Sequence, residues 1–353
     1  MAAAIRHARM NLGRTGTNPS VGTLLVKDSV IVGRGITAIG GRPHAETQAI
    51  AEAGELARGS TAYVTLEPCA HHGRTPPCAE ALFKAGVARV VIAASDPDPR
   101  VSGKGAQILR DTGIEVVEGV LAGQAVEGLS GYLTRSLKKR PEVTMKLAVS
   151  ADGMIGREAE GQVAITGDVS RRMVHVMRAH TDAIMIGAGT VAADDPELTC
   201  RLPGMEKRSP IRIVLDGSLR IPVNSKLVRS ARLVPVWIAA LPDADPAKHQ
   251  ELEAQGCRIL SCEEHEGRVA LPELLEDLGA EGIASVMLEG GAEIIRSFFD
   301  DRMIDRICLF TSEVIIGAHG IASPVDPDHM PDSFKLVRED WYGPDRCRNY
   351  VRD

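Results

Sequence analysis

The stretch TAYVTLEPCAHHGRTPPC, Thr61 to Cys78, decides how the first half of this chain is read. Its first six residues, Thr61 to Leu66, are apolar, aromatic or β-branched and predict a short buried strand. A loop follows, and Pro76 and Pro77 then lead into a helical run from Cys78, because a proline at a helix start loses no hydrogen bond. Cys69 therefore leaves a strand end and Cys78 opens a helix. Working outward, Pro43 precedes a second helical run from His44 to Ala53, and two extended segments between Gly22 and Gly35 turn at Asp28 and Ser29. Downstream, Cys78 to Ala85 reads as helix and Arg89 to Ala93 as strand. The alternation predicts an α/β sheet with helices on both faces.

One imidazole, His44, and two thiolates, Cys69 and Cys78, make three corners of a tetrahedral Zn²⁺ site and leave the fourth to water. An open corner implies catalysis, since structural sites take four protein ligands. Zinc brings the pKa of water at that corner to about 7, and Glu46 is available to carry the proton. Residues two apart on a helix point in different directions, so Glu46 belongs over the open corner and not beside His44. Histidine, any residue, glutamate, then proline-cysteine and a second cysteine is the signature of the zinc deaminases, in which the glutamate shuttles protons. The positive end of the helix beginning at Cys78 favours its thiolate. Between the cysteines, His71, His72, Arg74 and Thr75 offer donors suited to a phosphate or a polar heterocycle. A closed zinc site, or unrelated buried cysteines, would leave the glutamate and the prolines as coincidences.

The chain has 353 residues, 44% apolar and only 3% aromatic, which fits two α/β domains packed with Ala, Val, Ile and Leu. Net charge is −6 with both signs interspersed, so no footprint for nucleic acid is expected. No apolar run approaches a membrane span and Met1 to Met10 lacks a signal-like apolar core. Seven cysteines, an odd and scattered set, suit a reducing compartment, and a cytoplasmic protein is expected.

A seam near Lys138 to Pro141 divides the chain into residues 1–140 and 141–353. Beyond it, strands are predicted from Val143, at Ala183 to Ile186, Ile211 to Asp216, Val234 to Ala239 and Ser285 to Leu288, with helices at Ser170 to Arg178 and Pro272 to Leu278. The strand ending at Leu288 runs into Glu289, Gly290 and Gly291 and then a helix from Ala292 to Phe299, a place where backbone N–H groups can hold a pyrophosphate. A plain tight turn is the alternative. Gly187 to Ala192 formally fits the G-x-G-x-x-A pattern, but Asp194, Asp195 and Pro196 follow at once and exclude the long Rossmann helix.

The run Tyr63 to Cys78, with Asn18 to Gly22, resembles the deaminase half of the bifunctional riboflavin-biosynthesis deaminase-reductases, and the likeness is near-continuous from Asn18 to Gly119. The resemblance implies an N-terminal cytidine-deaminase-like α/β/α domain followed by a dihydrofolate-reductase-like α/β domain. It implies Zn²⁺ on His44, Cys69 and Cys78, with Glu46 as proton shuttle. It places Asn18, His71, Arg74 and Thr75 against a diamino-pyrimidinone ribosyl phosphate. Val143 to Gly153, Thr181 to Arg201 and Val286 to Arg296 resemble the reductase half, whose coenzyme is NADPH. Carried over by position, Ala148, Thr166, Thr190, Asp194, Gly291, Ala292, Glu293, Ile294, Ile295 and Arg296 contact NADPH. Lys146, Arg178, Leu198, Arg201 and Glu289 line the substrate side, Lys146 polarising the ring oxygen or an imine and the two arginines serving the 5′-phosphate. A homo-oligomer is implied, with small-molecule pyrimidine ribosyl phosphates as its partners and neither nucleic acid nor membrane.

Four positions depart from the family pattern: Thr37 stands for a histidine, Gln162 and Ala164 for a serine and a tryptophan, and Gly217 for a serine. Loss of the indole removes a large stacking surface. The expected activity is deamination of 2,5-diamino-6-ribosylamino-4(3H)-pyrimidinone 5′-phosphate followed by reduction of its ribosyl group to ribityl. A deaminase with a weakened or non-catalytic second half stays open, and a tRNA or cytidine deaminase would share the zinc arrangement but need neither that half nor the long inter-cysteine loop.

Overall fold

Asp28 and Ser29 turn the chain with φ of 49° and 64°, the left-handed pair that a tight two-residue hairpin needs to match strand twist. They join β1 (Gly22–Lys27) to β2 (Val30–Ile36) in this computed structural model, which describes residues 1–73, 76–158 and 161–353. The chain separates into two units, Met1–Lys139 and Arg140–Asp353.

In the first unit β1 pairs antiparallel with β3 (Thr61–Leu66), and β4 (Arg89–Ala94) and β5 (Glu115–Val117) continue in parallel. The order is β2-β1-β3-β4-β5. Helices α1 (Ala2–Ala8) and α5 (Ala122–Lys138) pack together on β1, β3 and β4, while α2 (Ala45–Ala53), α3 (Cys78–Lys84) and α4 (Lys104–Asp111) form a second group. Leu25, Val64, Leu82, Ile92 and Leu109 are fully buried between these layers, each worth about 1.5–3 kcal/mol. The sequence reading assigned no element to the long α5, because Gly123, Gly128 and Gly131 interrupt its helical pattern with what reads as loop.

Where α2 crosses β2, the strand carries Gly33 and Gly35. A Cβ at Gly33 would run into the Ala49 carbonyl, and one at Gly35 into the Ala45 carbonyl. Backbone-to-backbone approach is thus what seats α2 and, at its N-cap, His44. Gly35→Ala is expected to lift the first turn of α2, lowering stability by about 1–3 kcal/mol and loosening zinc retention. Urea unfolding with metal analysis checks this, and an unchanged midpoint with full zinc content would show the contact to be soft.

The second unit contains, in chain order, β6 (Glu142–Val149), β7 (Met154–Arg157), β8 (Ala183–Gly187), β9 (Ile211–Leu215), β10 (Val236–Ala240) and β11 (Arg258–Ser261). Then come β12 (Glu264–His265), β13 (Arg268–Val269), β14 (Ser285–Leu288), β15 (Arg306–Thr311), β16 (Gly320–Ala322), β17 (Phe334–Tyr342) and β18 (Asp345–Arg352). Its helices are α6 (Asp168–Ala179), α7 (Ala188–Asp194), α8 (Lys226–Arg229), α9 (Pro246–Ala254), α10 (Leu271–Ala280) and α11 (Ala292–Asp300). The main sheet runs β11-β10-β9-β8-β14-β6-β15-β18-β17, parallel through β15 and antiparallel for the last two strands. β12 with β13, and β7 with β16, form separate ribbons.

Met145, Met185, Ile213, Leu288 and Leu309 are fully buried on neighbouring strands, the near-continuous apolar character that parallel strands covered on both faces require. The start of β6 is clamped by Asp305, whose carboxylate takes Arg140 at 2.6 and 2.8 Å and the Val143 N–H at 2.9 Å. β10 begins at Val236 and not at Val234, because the Val234 carbonyl turns to accept from the buried guanidinium of Arg212.

Candidate functional site

His44 is the N-cap of α2, Glu46 lies in its first turn, Cys69 follows β3 after Glu67 and Pro68, and Cys78 is the first residue of α3. These elements bring His44, Cys69 and Cys78 together with their ligand atoms all within 4.8 Å. His44 Nδ1 stands 3.3 Å from Cys78 Sγ and 3.7 Å from Cys69 Sγ. Donors on a tetrahedral zinc with bonds of about 2.0–2.3 Å are roughly 3.5–3.8 Å apart, so the set fits that ion.

Hydrogen bonding to Cys78 and to His44 pulls the Cys69 thiol down to about 4. The Cys78 N–H, at the head of α3, donates to Cys69 Sγ at 3.3 Å. Cys78, which shares its proton with Cys69 and is buried, is pushed up. The N–H at the head of α3 thus supports thiolate at Cys69, beside the helix-dipole support expected for Cys78 itself. Glu46 is 4% exposed, and burial, with the Cys69 charge second, raises its carboxyl to about 7. Such a group can both take and give a proton near neutral pH.

Glu67 stands between the end of β3 and Cys69. It is buried, and its carboxylate accepts N–H groups from Gly103 at 3.0 Å, Gly105 at 3.0 Å, Ala106 at 3.2 Å and Asp96 at 3.4 Å. The strand end that leads to Cys69 is thereby fixed to the N-terminus of α4, where negative charge is favoured. Only the glycine-flanked helix start at Gly103 to Gly105 hinted at this partner in the sequence.

Of the residues expected against substrate, His71 is half-buried and its Nδ1, out of contact with solvent, has no hydrogen-bond partner among the described residues. Asn18 lies beside Gly41, with its backbone carbonyl accepting from Thr15 Oγ1 at 2.7 Å. Arg74 and Thr75 lie outside the described residues. Thr37 is buried, and its hydroxyl accepts the Val21 N–H at 3.0 Å, so at this position the chain has a backbone anchor.

The second unit holds a cleft of about 1720 Å³ that brings together Lys146, Ala148, Thr166, Arg178, Thr190, Asp194, Leu198, Arg201, Glu289 and Gly291 to Ile294. Ile295 and Arg296 are not on its wall: Ile295 is fully buried in the core and Arg296 is exposed elsewhere on α11. Only the first turn of a helix presents unsatisfied N–H groups, and the carried-over contact range runs past that turn.

Arg178 is buried beside Glu289. Its Nε and Nη2 donate to Glu289 at 2.9 and 2.8 Å, and Nη1 donates to the Thr199 carbonyl at 3.3 Å. Arg178 thus reaches the cleft wall with Nε and Nη2 paired to a buried carboxylate. Arg201, exposed and holding Glu197 at 3.2 Å, keeps only a weak surface pair and can exchange it. Burial tends to raise the Glu289 carboxyl, but the Arg178 and Lys146 charges outweigh it and hold the group below its ordinary value. Burial lowers the Lys146 ammonium, with Glu289 opposing, and Lys146 Nζ stands 5.9 Å from the centre of the Phe310 ring.

Leu198 is buried with φ at 54°, a conformation that costs a non-glycine residue and is found where function fixes the backbone. Burial raises the Asp194 carboxyl. Thr190 Oγ1 accepts the Gly291 N–H at 3.3 Å and ties the turn after β14 to α7. Helix α7 stops after seven residues, as the Asp194 to Pro196 sequence requires. The glycine turn at the N-terminus of α11, open to the cleft, has the donor chemistry to hold the pyrophosphate of NADPH. Gln162, Ala164 and Gly217 all line the cleft, and no Phe, Tyr or Trp is among the described residues that do.

The family model of the RibD C-terminal domain matches residues 141–347, and that of the cytidine and deoxycytidylate deaminase zinc-binding region matches residues 1–94. Riboflavin biosynthesis protein RibD of Bacillus amyloliquefaciens is 41% identical over 317 residues, spanning 90% of this chain and 84% of its own. The protein of the same name from Escherichia coli (strain K12) is 36% identical over 368 residues, spanning 99% and 98%. Among solved structures, Acinetobacter baumannii RibD, form 1, superposes with a TM-score of 0.86 at 35% identity, covering 100% of this chain and 97% of that one. The diaminohydroxyphosphoribosylaminopyrimidine deaminase/5-amino-6-(5-phosphoribosylamino)uracil reductase of Thermotoga maritima gives a TM-score of 0.86 at 34% identity, with coverage of 100% and 97%.

Proposed function

The chain belongs to the RibD family of riboflavin biosynthesis, enzymes that join a zinc-dependent deaminase to an NADPH-dependent reductase, and from that premise we propose which of its residues carry the two reactions. Residues 1–140 are assigned to the deaminase and 141–353 to the reductase. The spacing of His44 Nδ1 from the two sulfurs carries the first assignment. Zinc held there supplies a nucleophile from water at neutral pH. Glu46 holds the proton released from that water on its carboxylate and returns it to the departing amino nitrogen. Its burial and raised pKa support this role. The substrate is the 2,5-diamino-6-ribosylamino-4(3H)-pyrimidinone 5′-phosphate, bound by Asn18 and by His71, whose buried Nδ1 has no partner among the described residues. Arg74 and Thr75 belong to the same loop by resemblance.

In the reductase, NADPH supplies hydride to C1′ of the ribosyl group. Ala148, Thr166, Thr190, Asp194 and the turn Gly291 to Ile294 are assigned to the coenzyme, supported by their common place on the cleft wall. Lys146 gives a proton to the ring oxygen or imine, a step made easier by the burial that lowers its pKa. Arg178 keeps Glu289 ionised next to Lys146, Leu198 shapes the substrate side, and Arg201 receives the 5′-phosphate. The second reading, a deaminase alone, draws on Ala164 and on a cleft wall with no Phe, Tyr or Trp among its described residues.

Zinc removal separates the two. With a chelator present, ammonia release from the diamino substrate is expected to stop, while supplied deaminated intermediate still oxidises NADPH at 340 nm. Flat absorbance at 340 nm with metal-loaded protein would leave the deaminase alone, and ammonia release that survives the chelator would refute the zinc assignment.

No helix among the described residues is long and apolar enough to cross a membrane. Cytoplasmic residence and freedom from nucleic acid remain our inference, supported by seven unbridged cysteines and the net charge of −6. A homo-oligomer is supported by the edge strand β17, which exposes Leu336, Val337 and Trp341. Sedimentation of a monomer at micromolar concentration would exclude it.

A further inference from the structure

Three sulfur atoms that neither reaction uses converge beside Lys146, and we infer that Cys308, Cys347 and Met177 form a second metal site, one for Cu(I), whose occupation slows the reductase and spares the deaminase. The link to activity rests on the assignment of Lys146 to the reductase.

The register of the sheet assembles the group. On β15, Cys308 is paired with Lys146 of β6 and with Asn349 of β18, while Phe310 is paired with Ala148 and Cys347. Side chains two apart on a strand share a face, so Cys308, Cys347 and Lys146 lie on one side of the sheet. Helix α6 packs on that side and brings Val174 and Met177 against the two cysteines. Cys308 Sγ stands 3.4 Å from Cys347 Sγ and 3.8 Å from Met177 Sδ.

The donor types select the ion. Sulfurs bound at about 2.3 Å around one metal lie roughly 3.8–4.0 Å apart, within a slight side-chain rotation of the observed gaps. Both cysteines are free and buried, so their thiols meet each other instead of water. The third donor is a thioether. Among the described residues, the metal-spaced group of three His, Cys, Asp or Glu side chains is His44, Cys69 and Cys78, so no imidazole or carboxylate completes this second set. Zinc takes nitrogen, oxygen and thiolate donors, usually four of them in a structural site, whereas two thiolates and a thioether suit Cu(I). Asn349 Nδ2 donates to Cys347 Sγ at 3.8 Å, the kind of outer hydrogen bond that orients a ligand. Met177, half-buried, is the member through which an ion can enter.

Binding exchanges two thiol protons for one monovalent ion, because the ligands must be deprotonated, and the neutral group acquires a single negative charge. Thiolate charge on either cysteine attracts the Lys146 ammonium. The filled site therefore draws that side chain towards the sulfurs and away from the substrate. The zinc ligands belong to the other unit, so ammonia release is spared.

The test uses the full-length, zinc-loaded protein under anaerobic conditions, with Cu(I) supplied as its bicinchoninate complex. Wild type is expected to take one Cu(I) per chain and to show an ultraviolet thiolate-to-copper band, with zinc content and ammonia release unchanged. NADPH oxidation with the deaminated intermediate is expected to fall by about 5-fold or more, the range of coupling between two sites. Outer-shell changes alone cost about 10- to 100-fold in metal affinity, so Cys308→Ala and Cys347→Ala should each weaken Cu(I) binding by at least about 100-fold. Met177→Leu, which conserves packing volume, should weaken it by about 10-fold. Cys262→Ala, a buried thiol outside the group, should bind as wild type. No copper uptake, uptake that survives loss of both cysteines, uptake matched by loss of zinc, or binding that leaves NADPH oxidation unchanged each overturns the inference. A copper-free wild type that does not oxidise NADPH refutes the reductase assignment instead, and copper uptake by the variants still decides the metal site.

Discussion

Replacing Glu46 by Gln should lower ammonia release by about 10²- to 10⁴-fold, the usual worth of a positioned acid–base group, while zinc content stays near that of wild type. The amide keeps the size of the side chain and its place in the first turn of α2, so the metal-binding atoms are undisturbed. What it loses is the protonation equilibrium that burial has moved to about 7. An amide cannot accept the proton from water or pass it to the leaving nitrogen. The paired measurement, ammonia by enzyme-coupled assay and zinc by elemental analysis, distinguishes two roles. If metal is lost together with activity, Glu46 is a ligand and the shuttle assignment is wrong; if activity falls less than about tenfold, the proton travels by another route.

Glu289→Gln is expected to destabilise the second unit by about 3–5 kcal/mol, because it leaves the Arg178 guanidinium buried without its counter-charge. The pair is bidentate, with both side chains about a tenth exposed, so solvent screening does little to soften the loss. The dependence on pH has a definite sign. The Glu289 carboxyl is held below its ordinary value, so its stabilisation is complete above the unfolded-state pKa of about 4.3 and is lost as pH falls through the lower folded value. Wild-type protein should therefore lose stability on acidification below about pH 4, and the variant should lack that component. Urea unfolding from pH 7 to pH 3 reports both effects. A cost under about 1 kcal/mol would mean that the pair behaves as a solvated surface bridge.

The strand–loop–helix around Cys69 and Cys78 was legible because proline, glycine and β-branched residues act locally: Thr61–Leu66 and the start of α3 at Cys78 fall where the sequence placed them. The metal-binding group was legible for the same reason, since its members lie on those local signals. What the sequence did not give depends on partners far along the chain. Glu67 acquires meaning only when α4 folds back onto it, and the Arg178 ion pair exists only once Glu289 is brought to it from more than a hundred positions away. The edge strand β17 was missed because it exposes consecutive positions, Leu336 and Val337 among them, and so shows neither the alternation of a half-buried strand nor the apolar run of a buried one. Which side chains of α11 face the cleft was likewise not legible from position alone, because helix rotation turns Ile295 into the core.

The carboxylate of Glu67, with its four backbone donors, has a consequence for how the protein acquires its metal. In small zinc modules the ion organises the chain, and uptake and folding are one event. Here the chain on the Cys69 side is moored to α4 by contacts that involve no metal ligand, and the Cys78 side is the first turn of a packed helix. These anchors are expected to hold the metal-binding side chains in place without the ion. Loading is then expected to be a local replacement of thiol protons by an ion, so that removing zinc should silence the deaminase while leaving the first unit folded and the reductase active, which far-UV circular dichroism with and without a chelator would check.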